Sequence, residues 1–304
     1  MKKFVFFTAT LCLISFFRCA SVSEAAGENV FEFLKIPTTA AQGALAGMTG
    51  FNSEGGAHSH AMLDFAQGHS IGASYAAYFQ DTSFNSLSFT LAREKYVLNF
   101  SYAGFYYGDM EGYREDSSGN YIYSGKFGAN DLALGAGAGF AVLECLSLGC
   151  GLKYVAQNID GEGIYGIAAN LSAVYLPDAN WYATLGLENF GPDVEGYRMP
   201  SNIYAGMYSF YEKIHVLVGA ELKYYTAGSF LIKAAGEFDL VEKLFIRVGY
   251  SYPISNSNSE LGDFFETNLS LGFGASYKPF SFDFAWMPFG QLGSVSMITL
   301  TINL

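Results

Sequence analysis

Charged residues are scarce in this sequence. Only 14% of its 304 residues are Asp, Glu, Lys or Arg, against about a quarter in ordinary soluble proteins. The charge that is there leans acidic, with a formal net of −12. That excludes nucleic acid as a partner, because phosphate backbones are met by basic surfaces. Residues 27–304 contain no continuous apolar run of about 18 residues, so no membrane-spanning helix is expected. Of four cysteines, only Cys145 and Cys150 lie beyond residue 26. Their spacing puts them on opposite faces of one strand, which disfavours a disulfide. No set of nucleophile and base stands out, and of the histidines only His215 falls within the strands proposed below. The chain is therefore expected not to be an enzyme and to need no cofactor. His58, His60, His69 and Asp64 are read as polar loop residues in preference to a metal site.

What is present points to strands. Aromatics reach 17%, and there are 35 glycines. Residues 1–26 read as a signal peptide: Lys2 and Lys3, an apolar run to Phe17, then small residues at Ala25 and Ala26. Arg18 directly before Cys19 argues against a lipoprotein site. Residues 27–67 are rich in small residues without alternation, which predicts short helical or irregular segments. From residue 68 alternation takes over and continues to Leu304, giving about fourteen strands.

The pattern is plainest over residues 214–252. Leu222, Ile232, Phe238 and Ile246 fall on one face of their strands, and Glu221, Lys223, Lys233, Glu237 and Arg247 on the other. Most strands approach ten residues, the length a tilted strand needs to cross a bilayer. Alternate connections are tight, whereas residues 109–125, 159–164, 191–200 and 254–267 form long polar ones. Short turns at one rim and long loops at the other are the habit of outer-membrane barrels. Tyr and Trp near strand ends suit interfacial girdles, with cross-strand packing in a soluble sheet as the alternative. The fold expected is an all-β antiparallel transmembrane barrel with an N-terminal plug, or hatch, in its lumen. Location would be the outer membrane of a diderm bacterium.

Gly135, Gly137 and Gly139 share one face of a strand. They lack a phosphate-loop context and would provide either a smooth wall for the hatch or plain curvature. Inward charges such as Glu188, Glu221 and Glu237 beside Lys153, Lys223, Lys233 and Arg247 would mainly pair with one another.

Four segments in series resemble a known family. Ala41-Gln42-Gly43-Ala44-Leu45-Ala46-Gly47-Met48-Thr49-Gly50-Phe51 is similar to the N-terminal GARxxxMGGAF motif of the PorV/PorQ branch of FadL-like barrels. Gly151-Leu152-Lys153-Tyr154, Leu187-Glu188-Asn189-Phe190-Gly191-Pro192 and Met199-Pro200-Ser201-Asn202 resemble its later strand motifs in order and spacing. The Asn-Pro-Ala element of the family is missing; residues 60–66 stand in its place.

The resemblance implies a fourteen-stranded barrel with a lumenal hatch that passes hydrophobic molecules such as long-chain fatty acids. Phe31, Phe33, Leu34, Met48 and Phe51 would be hatch contacts for the ligand, and Lys153, Lys223, Lys233 and Arg247 would take a carboxylate head group. Outer-membrane lipid would surround the wall. The alternative is a PorV-type scaffold or shuttle for secreted proteins, with secretion-machinery partners docking on residues 109–125 and 254–267.

Overall fold

The computed structural model describes residues 29–51, 59–66, 68–117, 119–226, 228–241, 243–254 and 268–304. Fourteen strands follow one another: β1 (Ser70–Ala77), β2 (Ser83–Ala92), β3 (Val97–Glu115), β4 (Tyr121–Leu143), β5 (Leu146–Ile159), β6 (Glu162–Asp178) and β7 (Trp181–Phe190). Then come β8 (Asn202–Tyr211), β9 (Val216–Tyr225), β10 (Phe230–Val241), β11 (Leu244–Ile254), β12 (Leu269–Tyr277), β13 (Phe280–Pro288) and β14 (Ser294–Asn303). Each pairs antiparallel with its sequence neighbours, and β1 pairs with β14 from Ser70↔Asn303 to Ala77↔Ser296, so the sheet closes with no free edge along the ring. Closure leaves the ladders of the ring paired on both sides apart from a few bulges, the condition for strands to stand in hydrocarbon.

Alternation places the side chains as their polarity requires. Glu221, Lys223, Lys233, Glu237 and Arg247 are buried inside, while Leu222, Ile232, Phe238 and Ile246 are exposed outside. The outer surface continues in Leu87, Leu134, Leu152, Ile167, Leu185 and Leu300. Val216 departs from this, being buried between its register partners Tyr211 and Phe238. No helix among the described residues is long and apolar enough to cross a membrane.

One rim carries the connections β2–β3, β4–β5, β6–β7, β8–β9, β10–β11 and β12–β13, and these are short turns. His215, expected within a strand, sits in the β8–β9 turn with φ 49 and is exposed. The other rim differs from expectation. Residues 109–125 do not form a loop; β3 and β4 run on for 19 and 23 residues and pair through Glu115↔Tyr121. β2 stops opposite Tyr106, and β5 begins to pair with β4 only at Ala129. The hairpin beyond those points stands clear of the ring. β5–β6 likewise meet in a tight turn at Asp160 and Gly161. The β11–β12 segment at 255–267 lies outside the described residues. Cys145 and Cys150 are both free.

Ahead of β1, residues 30–51 and 59–66 lie inside the ring. Asn29 bridges Arg198 on the long-loop side. A 3-10 turn (Glu32–Lys35), the short helix α1 (Ala40–Ala44) and a second 3-10 turn (His60–Phe65) follow before the chain leaves at the short-turn rim, where Leu304 N donates to the His69 carbonyl.

Candidate functional site

The hatch is seated on glycine. Gly137 and Gly139 of β4 and Gly149 and Gly151 of β5 form a trough without side chains. The turn His60–Phe65 lies in it: an added Cβ at Gly137 or Gly151 would strike the His60 imidazole, and one at Gly139 or Gly149 would strike the His60–Ala61 backbone. Of the two readings of the glycine row, close packing of the hatch is the one seen. Across the barrel, Gly249 of β11 and Gly272 of β12 give the same room to α1 at Ala44–Ala46.

Hydrogen bonds fix the hatch in register. Thr39 Oγ1 caps α1 by accepting from Gln42 N at 3.1 Å. Ala40 N donates to Thr299 Oγ1 (2.8 Å), Ala46 N to Ser270 Oγ (3.1 Å) and Ala61 N to Ser172 Oγ (2.9 Å). The turn at Ala46 and Gly47 has φ values of 56 and 66, which glycine adopts freely. Beyond it, Glu221 Oε2 accepts from Thr49 N, Gly50 N and Tyr208 OH at 2.9, 3.0 and 2.9 Å. Glu221→Ala would leave those buried donors without an acceptor. Hatch docking is expected to weaken by about 1.5–3 kcal/mol, seen as lost amide-exchange protection at Thr49 and Gly50; unchanged protection there would refute the assignment.

The five apolar hatch candidates separate into two seals. Phe31, Phe33 and Leu34 pack with Phe84, Phe105, Val155, Met199 and Met287 toward the long-loop side. Met48 and Phe51 pack with Met62, Val174, Tyr182 and Tyr208 toward the short-turn side. Between them lies a cavity of about 240 Å³. Phe33, Leu34, Ile36 and Leu63 bring apolar surface to it, β14, β1, β2 and β3 bring hydroxyls such as Ser74, Ser88 and Thr301, and Lys153, Lys223 and Lys233 stand on its wall.

The cationic candidates also separate. Lys223 Nζ lies 3.0 Å from Glu188 Oε2 and 3.9 Å from Glu221 Oε1, and donates to Thr49 Oγ1 at 2.7 Å. Lys153 Nζ donates to Asn189 Oδ1 and Lys233 Nζ to Gly47 O, both at 2.9 Å. Arg247 is different: it is 0% exposed, off the cavity wall, and held by Glu237 at 2.6 Å and Asp283 at 2.5 Å. As a head-group ligand it is corrected to a structural ion cluster, because its guanidinium is enclosed by its own carboxylates.

Sequence reasoning missed what ties the lysine wall together. Asn189, with φ 55, takes the left-handed conformation that Asn tolerates. It connects Lys153, Ser201 (whose Oγ donates to its carbonyl at 2.7 Å) and Asn170 (whose Oδ1 accepts from its N at 2.8 Å). Thr49 Oγ1 reaches Glu188 at 3.2 Å. The motif segments around residues 49, 153, 189 and 201 thus meet at one point, which their separation in sequence conceals.

Of the other residues weighed as metal ligands, His69 and Asp64 have partners in the wall. His69 Nδ1 accepts from Ala92 N at 3.1 Å, and Asp64 accepts from Ser147 Oγ at 2.6 Å. His58 lies outside the described residues, and among the described ones no three His, Cys, Asp or Glu gather as metal ligands. Burial, reinforced by the Lys153 charge and opposed by Glu188, lowers the His60 pKa to about 4. An undocked His60 takes up a proton near pH 6.5, while the docked one resists it. Hatch docking is thus fully supported above about pH 6.5 and weakens as pH falls toward 4. Amide protection of residues 60–65 is expected to be lower at pH 4.5 than at pH 7, with the difference flattened in His60→Asn; equal protection at both pH values in the parent would contradict this.

The chain is a closed barrel of fourteen consecutive antiparallel strands with an apolar outer face. No family profile and no curated protein matches the chain. Solved structures do. The toluene transporter TbuX of Ralstonia pickettii superposes with a TM-score of 0.64 at 12% identity, over 90% of this chain and 98% of that one. The monoaromatic hydrocarbon channel CymD gives 0.64 at 15% identity, over 89% and 98%. The toluene transporter TodX of Pseudomonas putida gives 0.60 at 12% identity, over 87% and 96%.

Proposed function

We propose that this chain is a non-enzymatic conduit of a diderm outer membrane for small molecules with hydrophobic character. The observation that carries this reading is the lumenal cavity lying between two apolar clusters, both made with hatch residues. The neighbours in fold, which are toluene and monoaromatic hydrocarbon transporters, support it. A ligand would enter from the long-loop rim past Phe31 and Phe33, lodge in the cavity, and leave when the hatch shifts. Long-chain fatty acids are the finer form of the reading. With about 240 Å³ available, below the roughly 300–1,000 Å³ of pockets for drug-sized ligands, they would require a seal to open. Diderm host cells producing the protein should accumulate labelled toluene or palmitate faster than cells without it, and removal of residues 27–51 should change the rate. Equal rates with and without the protein would refute the reading.

A second reading, as a PorV-type scaffold for secreted proteins, rests on the PorV/PorQ-like motifs and one structural observation. The β3–β4 hairpin stands clear of the ring with Tyr113, Tyr121, Ile122 and Tyr123 exposed. A lone two-stranded ribbon is marginal in water, and its free edges invite pairing. Capture of secretion-machinery proteins that disappears on deleting residues 109–127 would favour this reading. The other docking segment, 255–267, lies outside the described residues.

A further inference from the structure

We propose that the lumenal cavity is a site for a small organic carboxylate, with the anion held at Lys233 and Lys153. This rests on the conduit reading only in taking the cavity as the ligand's station. Three observations lead to it.

The first is charge balance on the wall. Lys35, Lys153, Lys223 and Lys233 line the cavity; Lys35 is paired with Glu32 at 2.7 Å, Glu188 also lines the cavity, and Glu221 stands behind, bound to the hatch backbone. With the Lys35–Glu32 pair set aside, three lysines against two carboxylates among the described residues leave one positive charge over. Both carboxylates lie within 4 Å of Lys223. Among the described residues neither Lys153 nor Lys233 reaches a carboxylate at ion-pair distance. The second carboxylate around Arg247 does not compensate, because Glu237 and Asp283 are off the cavity wall and turned to the guanidinium.

The second is unused donor capacity. An ammonium carries three donors. Lys233, 5% exposed, donates to one neutral oxygen, Gly47 O, and Lys153 to one, Asn189 Oδ1. A buried ammonium with a single neutral partner is costly unless an anion completes it or it gives up its proton, and a bound carboxylate favours the charged form.

The third is the shape and polarity of what faces the lysines. Ser74, Ser88 and Thr301 offer hydroxyls, and Phe33, Leu34 and Ile36 of the hatch offer an apolar patch. A carboxylate with a compact apolar body meets all three surfaces. A bare hydrocarbon leaves the lysines unmatched, and an inorganic anion leaves the apolar patch wet.

Equilibrium dialysis of the purified full-length barrel in detergent tests this with labelled benzoate, and with benzamide as its neutral isostere. Benzoate is expected to bind saturably and at least tenfold more tightly than benzamide. Lys233→Met should weaken it tenfold or more, Lys153→Met should weaken it less, and Lys233→Arg should retain it. The unheated gel mobility of each variant reports whether the barrel is folded. The proposal is overturned if benzoate binds no better than benzamide, if the folded Lys233→Met and Lys153→Met variants bind it unchanged, or if chloride displaces it at equal concentration, which would mark a simple anion site. Loss of Lys233→Arg binding together with unchanged Lys233→Met binding would overturn it as well. Dialysis reads the site alone, so a failure of toluene uptake in cells would count against the conduit and leave this result standing.

Discussion

Arg247→Leu is expected to destabilise the barrel by about 3–5 kcal/mol, the usual consequence of removing one partner from a buried ion cluster. Arg247 is fully buried, with Nε on Glu237 and Nη1 on Asp283. Its loss would leave two carboxylates facing each other across β10, β11 and β13 with no cation between them. They would have to take up protons or draw in water, and either route loosens the wall beside α1. Guanidinium unfolding of the refolded protein in detergent measures the effect. The informative control replaces all three, Arg247→Met with Glu237→Leu and Asp283→Leu. Apolar groups of similar volume leave no charge unpaired, so this variant should fall much closer to the parent. A cost below about 1 kcal/mol for Arg247→Leu would mean that the cluster is hydrated and does not act as a structural unit.

The paired change Gly139→Ala and Gly149→Ala is expected to lift the hatch out of its trough. Each new Cβ would enter the backbone of His60 and Ala61, and backbone cannot move aside by changing rotamer. Overpacking of this kind costs about 1–3 kcal/mol. Here the strain falls on the least anchored partner, the turn His60–Phe65, because the strands are held on both sides by their ladders. Displacing the turn carries Met62 away from Val174, Tyr182 and Tyr208, so the seal on the short-turn side opens. Single-channel recording should show a steady conductance in the variant where the parent is closed. Closed traces in a folded variant would show that the hatch finds another seat.

The wall was legible in the sequence because lipid and lumen impose opposite demands on successive residues. Glu221–Leu222–Lys223 can be satisfied in only one orientation, and the alternation of β14, Val295 and Met297 in and Ile298 and Leu300 out, marks it as a wall strand in the same way. The β3–β4 overhang has the sequence texture of a loop. Once a ribbon leaves the membrane both faces meet water, and Asp109, Glu111, Gly112 and Tyr113 carry no alternation to reveal a strand. Inward charges were recognisable as a group, but their partners were not. Arg247 and Lys233 have the same parity on neighbouring strands, and only the fold shows that one is enclosed by carboxylates and the other by a single carbonyl. His60 looked like a loop residue because its surroundings, four glycines on two strands some 80–90 residues later, supply room and no side chain to signal it.

The path of the first described segment bears on assembly. Asn29 is held at Arg198 near one mouth, and His69 is held at Leu304 at the other. The polypeptide therefore passes through its own ring before it begins to build that ring. β1 and β14 are the last edges to meet, and they must zip with the leading segment already between them, or else that segment must afterwards be drawn the length of the pore. Thr299 belongs to the closing strand and also accepts from Ala40 N of the hatch. The seam thus gains part of its adhesion from the strand of chain it encircles. Insertion into the membrane and loading of the hatch are then coupled, and a chain lacking residues 27–51 should close its ring more slowly than the parent.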